Sequence, residues 1–166
     1  MTREEKLQLN RDRQKAVRDA WNREKGLVEQ GKGTVDWSVN QQRELLETGR
    51  VKGYEGQHMK SCCEYPEYAS LVDNIQLLTH EEHFEAHNSV AGKGYHSPTN
   101  GFYNTTTKKI QSFGNNPPQP PKVIELSETY SLKNSNNAYR ENDLAKESVR
   151  EITYNKSSNE LMNRWR

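Results

Sequence analysis

No apolar run in these 166 residues approaches the roughly 20 needed to span a bilayer, so a membrane-spanning chain is not expected. A leader of basic, then apolar, then small residues is also missing, and any export is expected to use a route other than the general secretory signal. Hydrophobic residues are scarce, at 31%. Even with the ten glycines this falls below the ~45–50% apolar share of an average globular domain. Only a small core is affordable, and part of the chain is expected to lie outside it. Cysteine is nearly absent. Cys62 and Cys63 are adjacent, where a bridge between them is strained, so no disulfide framework forms and a reducing compartment is compatible. An excess of charge of one sign is lacking too, with 24 basic against 23 acidic residues. Nucleic-acid binding would need a local patch. Arg43, Arg50, Lys52 and Lys60 are the candidates, although charge alone favours an ordinary solvated surface.

What is present divides by pattern. Residues 3–30 read as a long charged helix with Val17, Ala20, Trp21, Leu27 and Val28 on one stripe. Gly31 and Gly33 end it. Ser38 caps a second helix that stops at Gly49. Residues 51–60 look extended, residues 64–70 form a turn or short helix around Pro66, and residues 74–78 suit a short strand. Thr79-His80-Glu81-Glu82 is a capping box and starts a helix through HEEHFEAHN. Residues 95–107 read as loop. The prolines of SFGNNPPQPP, residues 112–121, mark an extended linker. A strand over residues 122–126 and a helix over residues 138–152 follow. The expected organisation is a domain over residues 1–109, a linker over 110–121 and an extension of unknown role over 122–166.

His83 and His87 are spaced i, i+4 on the capped helix, which places both imidazoles on one face. Two imidazoles so placed can grip one divalent ion, but alone such a pair is more often simply exposed. His58 ends the extended segment upstream and suits a general base, because its pKa lies near working pH. Asn74, between the two elements, can hold loop backbone or orient the imidazole. Trp21, Trp37, Tyr54, Tyr65 and Tyr68 are read as packing residues. Glu55 is read either as a supporting partner of a histidine or as a solvent-facing strand residue. Lys60 and Arg50 are candidate phosphate contacts.

A strand ending in GYEGQHM, then YPEYA, then NIQLLTHEEHFEAHN resembles the HNH, or ββα-metal, nucleases. The branch it is similar to is the Gly-His-His nuclease domains of bacterial polymorphic toxins. The resemblance covers roughly residues 20–105. It implies an α+β fold with a small ββα-metal core, N-terminal helices and a C-terminal extension. It implies that His58 deprotonates the attacking water, that Asn74 orients His58, and that His83 and His87 ligate one divalent ion (magnesium, manganese, zinc or nickel). It further implies an endonuclease acting on DNA as the toxic part of a bacterial effector, secreted or delivered by contact into a target-cell cytoplasm, with a cognate immunity protein as partner.

One position departs from the pattern. The branch places a metal-ligating histidine before the base, and this chain has Gln57. A glutamine carbonyl is a neutral, hard donor that suits magnesium or manganese better than zinc and binds more weakly than imidazole. Gln57 is compatible with a hard-ion enzyme, with a naturally decayed site, or with a variant inactivated so that a toxic nuclease can be produced. Two other functions therefore stand beside the DNA endonuclease. One is a ribonuclease with the same site. The other is a metal-containing nucleic-acid-binding module without turnover.

Overall fold

The computed structural model describes residues 1–130, so the helix expected over residues 138–152 and most of the C-terminal extension lie outside the described residues. The architecture is α+β. It comprises α1 (Arg3–Val28), β1 (Lys32–Gly33), α2 (Val39–Thr48), β2 (Tyr54–His58), β3 (Ile75–Thr79), α3 (His80–Ala91), β4 (Gly101–Asn104), β5 (Lys109–Ser112) and β6 (Ile124–Glu125). Each of the three sheets is an antiparallel pair: β1 with β6, β2 with β3, and β4 with β5. No helix among the described residues is long and apolar enough to cross a membrane.

The three α-helices among the described residues all start at capping boxes. Thr2, Ser38 and Thr79 each accept from the backbone of the third helical residue, whose side chain reaches back. Satisfying those first-turn amides fixes where each helix begins. Ala16, Ala20, Trp21 and Val28 of α1 form the core with Trp37, Leu45 of α2, and Ile75 and Leu77 of β3. Two charged side chains, Glu24 and Lys60, are buried among the described residues. Glu24 is 1% exposed and accepts from Trp37 Nε1, Thr34 N and Thr34 Oγ1, each at 2.7 Å. Three donors on one carboxylate offset its desolvation.

The β2–β3 pair carries the chemistry-bearing residues. Gln57 lies opposite Gln76, and His58 opposite Ile75. At Gly56 a Cβ would sit 3.0 Å from both Val17 methyls, so glycine lets α1 pass close to the strand. The long loop between β2 and β3 holds two short 3₁₀ turns, Pro66–Tyr68 and Val72–Asn74.

Residues 95–107, expected as loop, instead contain a 3₁₀ turn at Gly94–His96 and all of β4. Two features make this hairpin. Asn104 Oδ1 accepts from Thr106 N and Thr107 N, closing the turn, and Lys108 adopts φ 56°. Gln76 then docks the hairpin on β3 by imitating a backbone pair: Nε2 donates to Tyr103 O at 2.8 Å, and Oε1 accepts from Tyr103 N at 3.0 Å. Past the prolines the chain returns to its N-terminal half. Leu126 joins the core, Ser127 bonds Asp36, and the Gln42 side chain bonds Glu128 O and Tyr130 N.

Candidate functional site

The strand end, the loop and the capped helix converge on one cavity of about 250 Å³, lined by His58, Cys62, Cys63, His83, His87 and Tyr95, with Arg13 of α1. The His83 and His87 rings lie 5.0 Å apart between centroids. His83 Nδ1 donates to Glu55 Oε1 at 2.7 Å, and His87 Nδ1 donates to Ser97 O at 2.6 Å. Those partners leave Nε2 of each ring as the atom with a free lone pair. A carboxylate or carbonyl behind a histidine is the usual support for a metal ligand, since it fixes tautomer and orientation. Glu55 thus takes the supporting role rather than the solvent-facing one. It also holds His80, whose Nδ1 lies 3.2 Å away, but the largely exposed His80 does not line the cavity.

His58 Nε2 donates to Ala69 O at 3.0 Å, leaving Nδ1 as the basic nitrogen. Burial pushes the His58 pKa below the ordinary imidazole value, outweighing the Ala69 carbonyl, which raises it. Burial likewise lowers His83 against the pull of Glu55. Both rings are neutral at pH 7, the form that a base and a ligand each require.

Asn74 is fully buried and does not touch the His58 ring. Its Oδ1 accepts from Lys60 N at 2.8 Å, and Nδ2 donates to Lys60 O at 3.0 Å and Tyr68 O at 3.3 Å. It therefore holds the loop backbone after His58 at two points, Lys60 and Tyr68, the latter being the residue before Ala69. Its grip on His58 is indirect.

Gln57 is fully buried, and neither Oε1 nor Nε2 has a partner. The only other such side-chain atom among the described residues is Asn100 Oδ1. Strand alternation puts Gln57 on the same face as Glu55 and opposite to His58, and Gln57 does not line the histidine cavity. The two imidazole nitrogens that face the cavity fit a divalent ion. No group of three His, Cys, Asp or Glu among the described residues is arranged to hold a metal ion. Burial pushes the Cys62 thiol up to about 11.

Two expectations about cations change. Lys60, expected at a phosphate, is 2% exposed, donates to Gly114 O at 2.9 Å and lies 4.3 Å from the centre of the Tyr65 ring. Its ammonium is held inside the fold, and Tyr65 is its cover. Arg50 does lie beside His58, but Arg43 and Lys52 do not line that region. Arg13, which sequence reasoning passed over, lines the space on both sides of His58. Only the packing of α1 over Gly56 brings it there, and no local pattern signals that.

The fold and the cavity define a small ββα-type site of two helix histidines, a strand histidine and an asparagine-pinned loop. Residues 3–79, just under half of the chain, match the family described as a GHH-signature-containing HNH/Endo VII superfamily nuclease toxin. That match ends at Thr79, one residue before α3, so His83 and His87 lie beyond it. Curated relatives are similar over the same order of length. Teneurin-3 of Mus musculus is 41% identical over 75 residues, which is 45% of this chain and 3% of that protein. Teneurin-4 of Homo sapiens is 38% identical over 71 residues, again 3% of its length, and Teneurin-1 of Gallus gallus is 35% identical over 71 residues. The chain spans about 3% of the length of these relatives. Their vertebrate sources overturn the expectation of a bacterial effector delivered into a target-cell cytoplasm. That expectation came from the toxin branch alone, and a ββα motif carries no information about host or compartment.

Proposed function

We propose that this chain is a metal-dependent endonuclease that hydrolyses phosphodiester bonds, with DNA as its substrate. The observation that carries the reading is the fixed tautomer of three histidines in one cavity: each has one ring nitrogen committed to a carbonyl or carboxylate and the other free. Neutral His58 takes a proton from a water at Nδ1 as that water attacks phosphorus. The phosphorus–oxygen bond opposite breaks, and the leaving oxygen collects a proton from solvent. Asn74 positions this base through the loop backbone. Gln57, His83 and His87 would hold one divalent ion, which supplies charge stabilisation for the phosphoryl oxygens and the leaving group. A protein that restrains the nuclease would cover this cleft.

The test is a single tube of supercoiled plasmid and structured RNA, with magnesium, manganese, zinc or nickel. Plasmid nicking by the chain, lost in His58→Ala, is expected. RNA cleavage alone would make it a ribonuclease. Binding of either nucleic acid without cutting under any ion would make it the non-catalytic module that Gln57 otherwise favours.

A further inference from the structure

His58 divides two spaces. On one side is the histidine cavity. On the other is a groove lined by Asn10, Arg13, Gln14 and Arg18 of α1, with Arg50 and Gly56. Asn10, Arg13, Gln14, Val17 and Arg18 recur at helical spacing, so α1 presents them as one stripe. All three arginines are exposed, and none forms an ion pair or side-chain hydrogen bond with a described residue. The contrast along the same helix is direct: Lys15 pairs with Asp19, and Arg23 with Asp73. No carboxylate lines the groove. In a chain with a net charge of only +1, three unpaired guanidiniums in one acid-free groove are a local concentration of charge.

We infer that this groove is a phosphate track in which Arg13, Arg18 and Arg50 hold the DNA backbone on the side of His58 away from the metal-ligand histidines. The inference rests on the nuclease reading for its substrate. Its geometric reason is that Arg13 reaches both spaces, so a backbone seated on the three guanidiniums runs past His58 into the cavity. Guanidinium suits this task, since its planar fork matches phosphate oxygens and never loses its charge. The contacts are to backbone, so they carry register and affinity rather than base sequence.

The experiment measures binding of the full chain to a fluorescein-labelled duplex DNA across a salt series with EDTA present, so that cleavage does not interfere. The R13A/R18A/R50A triple variant is expected to bind more weakly. Its log affinity should fall less steeply with log salt, by about three in slope, because each lost phosphate contact accounts for roughly 0.9. R13K/R18K/R50K should restore the slope, and thermal melting of both triples should match the parent, because all three replaced arginines are exposed. R43A/K52A/K122A removes three exposed cations outside the groove and should leave the slope unchanged. An unchanged slope in R13A/R18A/R50A, or an equal change in R43A/K52A/K122A, overturns the track. The two readings fail separately. A chain that nicks plasmid while the groove variant keeps its slope loses only the track. A chain that never cuts while the groove variant flattens loses only the nuclease.

Discussion

Two glutamines face each other across the β2–β3 hairpin, and they are opposites. Gln76 is 5% exposed, and both ends of its amide are engaged by the Tyr103 backbone. Gln57, directly opposite, is fully buried, and both ends are unengaged. Nearly all buried polar groups in folded proteins find partners, so an amide left wholly unpaired lowers stability. The fold otherwise satisfies its buried polar groups well, as Glu24 and Asn74 show. The difference teaches that Gln76 is a structural residue, whereas no described residue engages Gln57, and the divalent ion proposed beside His83 and His87 would give its amide oxygen a partner.

The largest effect should appear in catalysis. His58→Ala should lower cleavage by about 10²–10⁴-fold with little change in melting, the range expected for a lost general base. Kinetics on a labelled duplex would check it, and a loss below threefold would remove His58 from the reaction. Asn74→Ala comes next, because it removes the side-chain partner of Lys60 N and Lys60 O and leaves Tyr68 O with Leu71 N alone. It should cost roughly 2–4 kcal/mol in urea unfolding and reduce cleavage through the displaced loop.

The glutamine pair gives the sharpest contrast, because the same substitution should have opposite signs at the two positions. Gln76→Leu should destabilise the metal-free chain by about 1–3 kcal/mol, since it strands the Tyr103 amide and carbonyl. Gln57→Leu should stabilise it by about 1–2 kcal/mol, since two unpaired polar atoms are replaced by apolar ones of similar volume. Chemical denaturation in EDTA reads both, and the same sign for both would erase the distinction.

The smallest effect is with pH. His58 and His83 are held below their ordinary pKa by burial. The unfolded chain then binds more protons than the folded one in mildly acid solution. The stabilisation is fully present above about pH 6.5, the unfolded histidine value, and is lost as pH falls through the folded values. Unfolding midpoints in EDTA should therefore drop below pH 6.5. His58→Ala and His83→Ala should each flatten that drop, as acid–base titration of stability would show.

Much of this hairpin was legible beforehand because local chemistry fixes it. Thr79 and Glu82 announce the start of α3, and that start sets the phase at which His83 and His87 share a face. His58 was legible as the end of the extended segment, whereas Asn74 belongs to the 3₁₀ turn just before β3 rather than to the strand expected over residues 74–78. What the sequence hid depends on packing between distant segments. β4 and β5 are four residues each in a stretch rich in Thr and Asn, and the hairpin they form is docked on β3 through the Gln76 amide and Tyr103. Lys60 looked like a surface cation until Gly114 and Tyr65 enclosed it. Arg13 sits 45 residues before His58, on a helix whose face turns toward the strand only where Gly56 admits it.

The most direct test of the claim that Gln57 is reserved for an ion is calorimetric titration of manganese into the metal-free chain and into Gln57→Leu, with Gln57→His alongside. One ion per chain is expected for the parent, roughly 10-fold weaker binding for Gln57→Leu, and a gain for zinc over manganese in Gln57→His. Equal manganese affinity in the parent and Gln57→Leu would contradict the account and leave Gln57 as an unpaired amide with no ion to meet it.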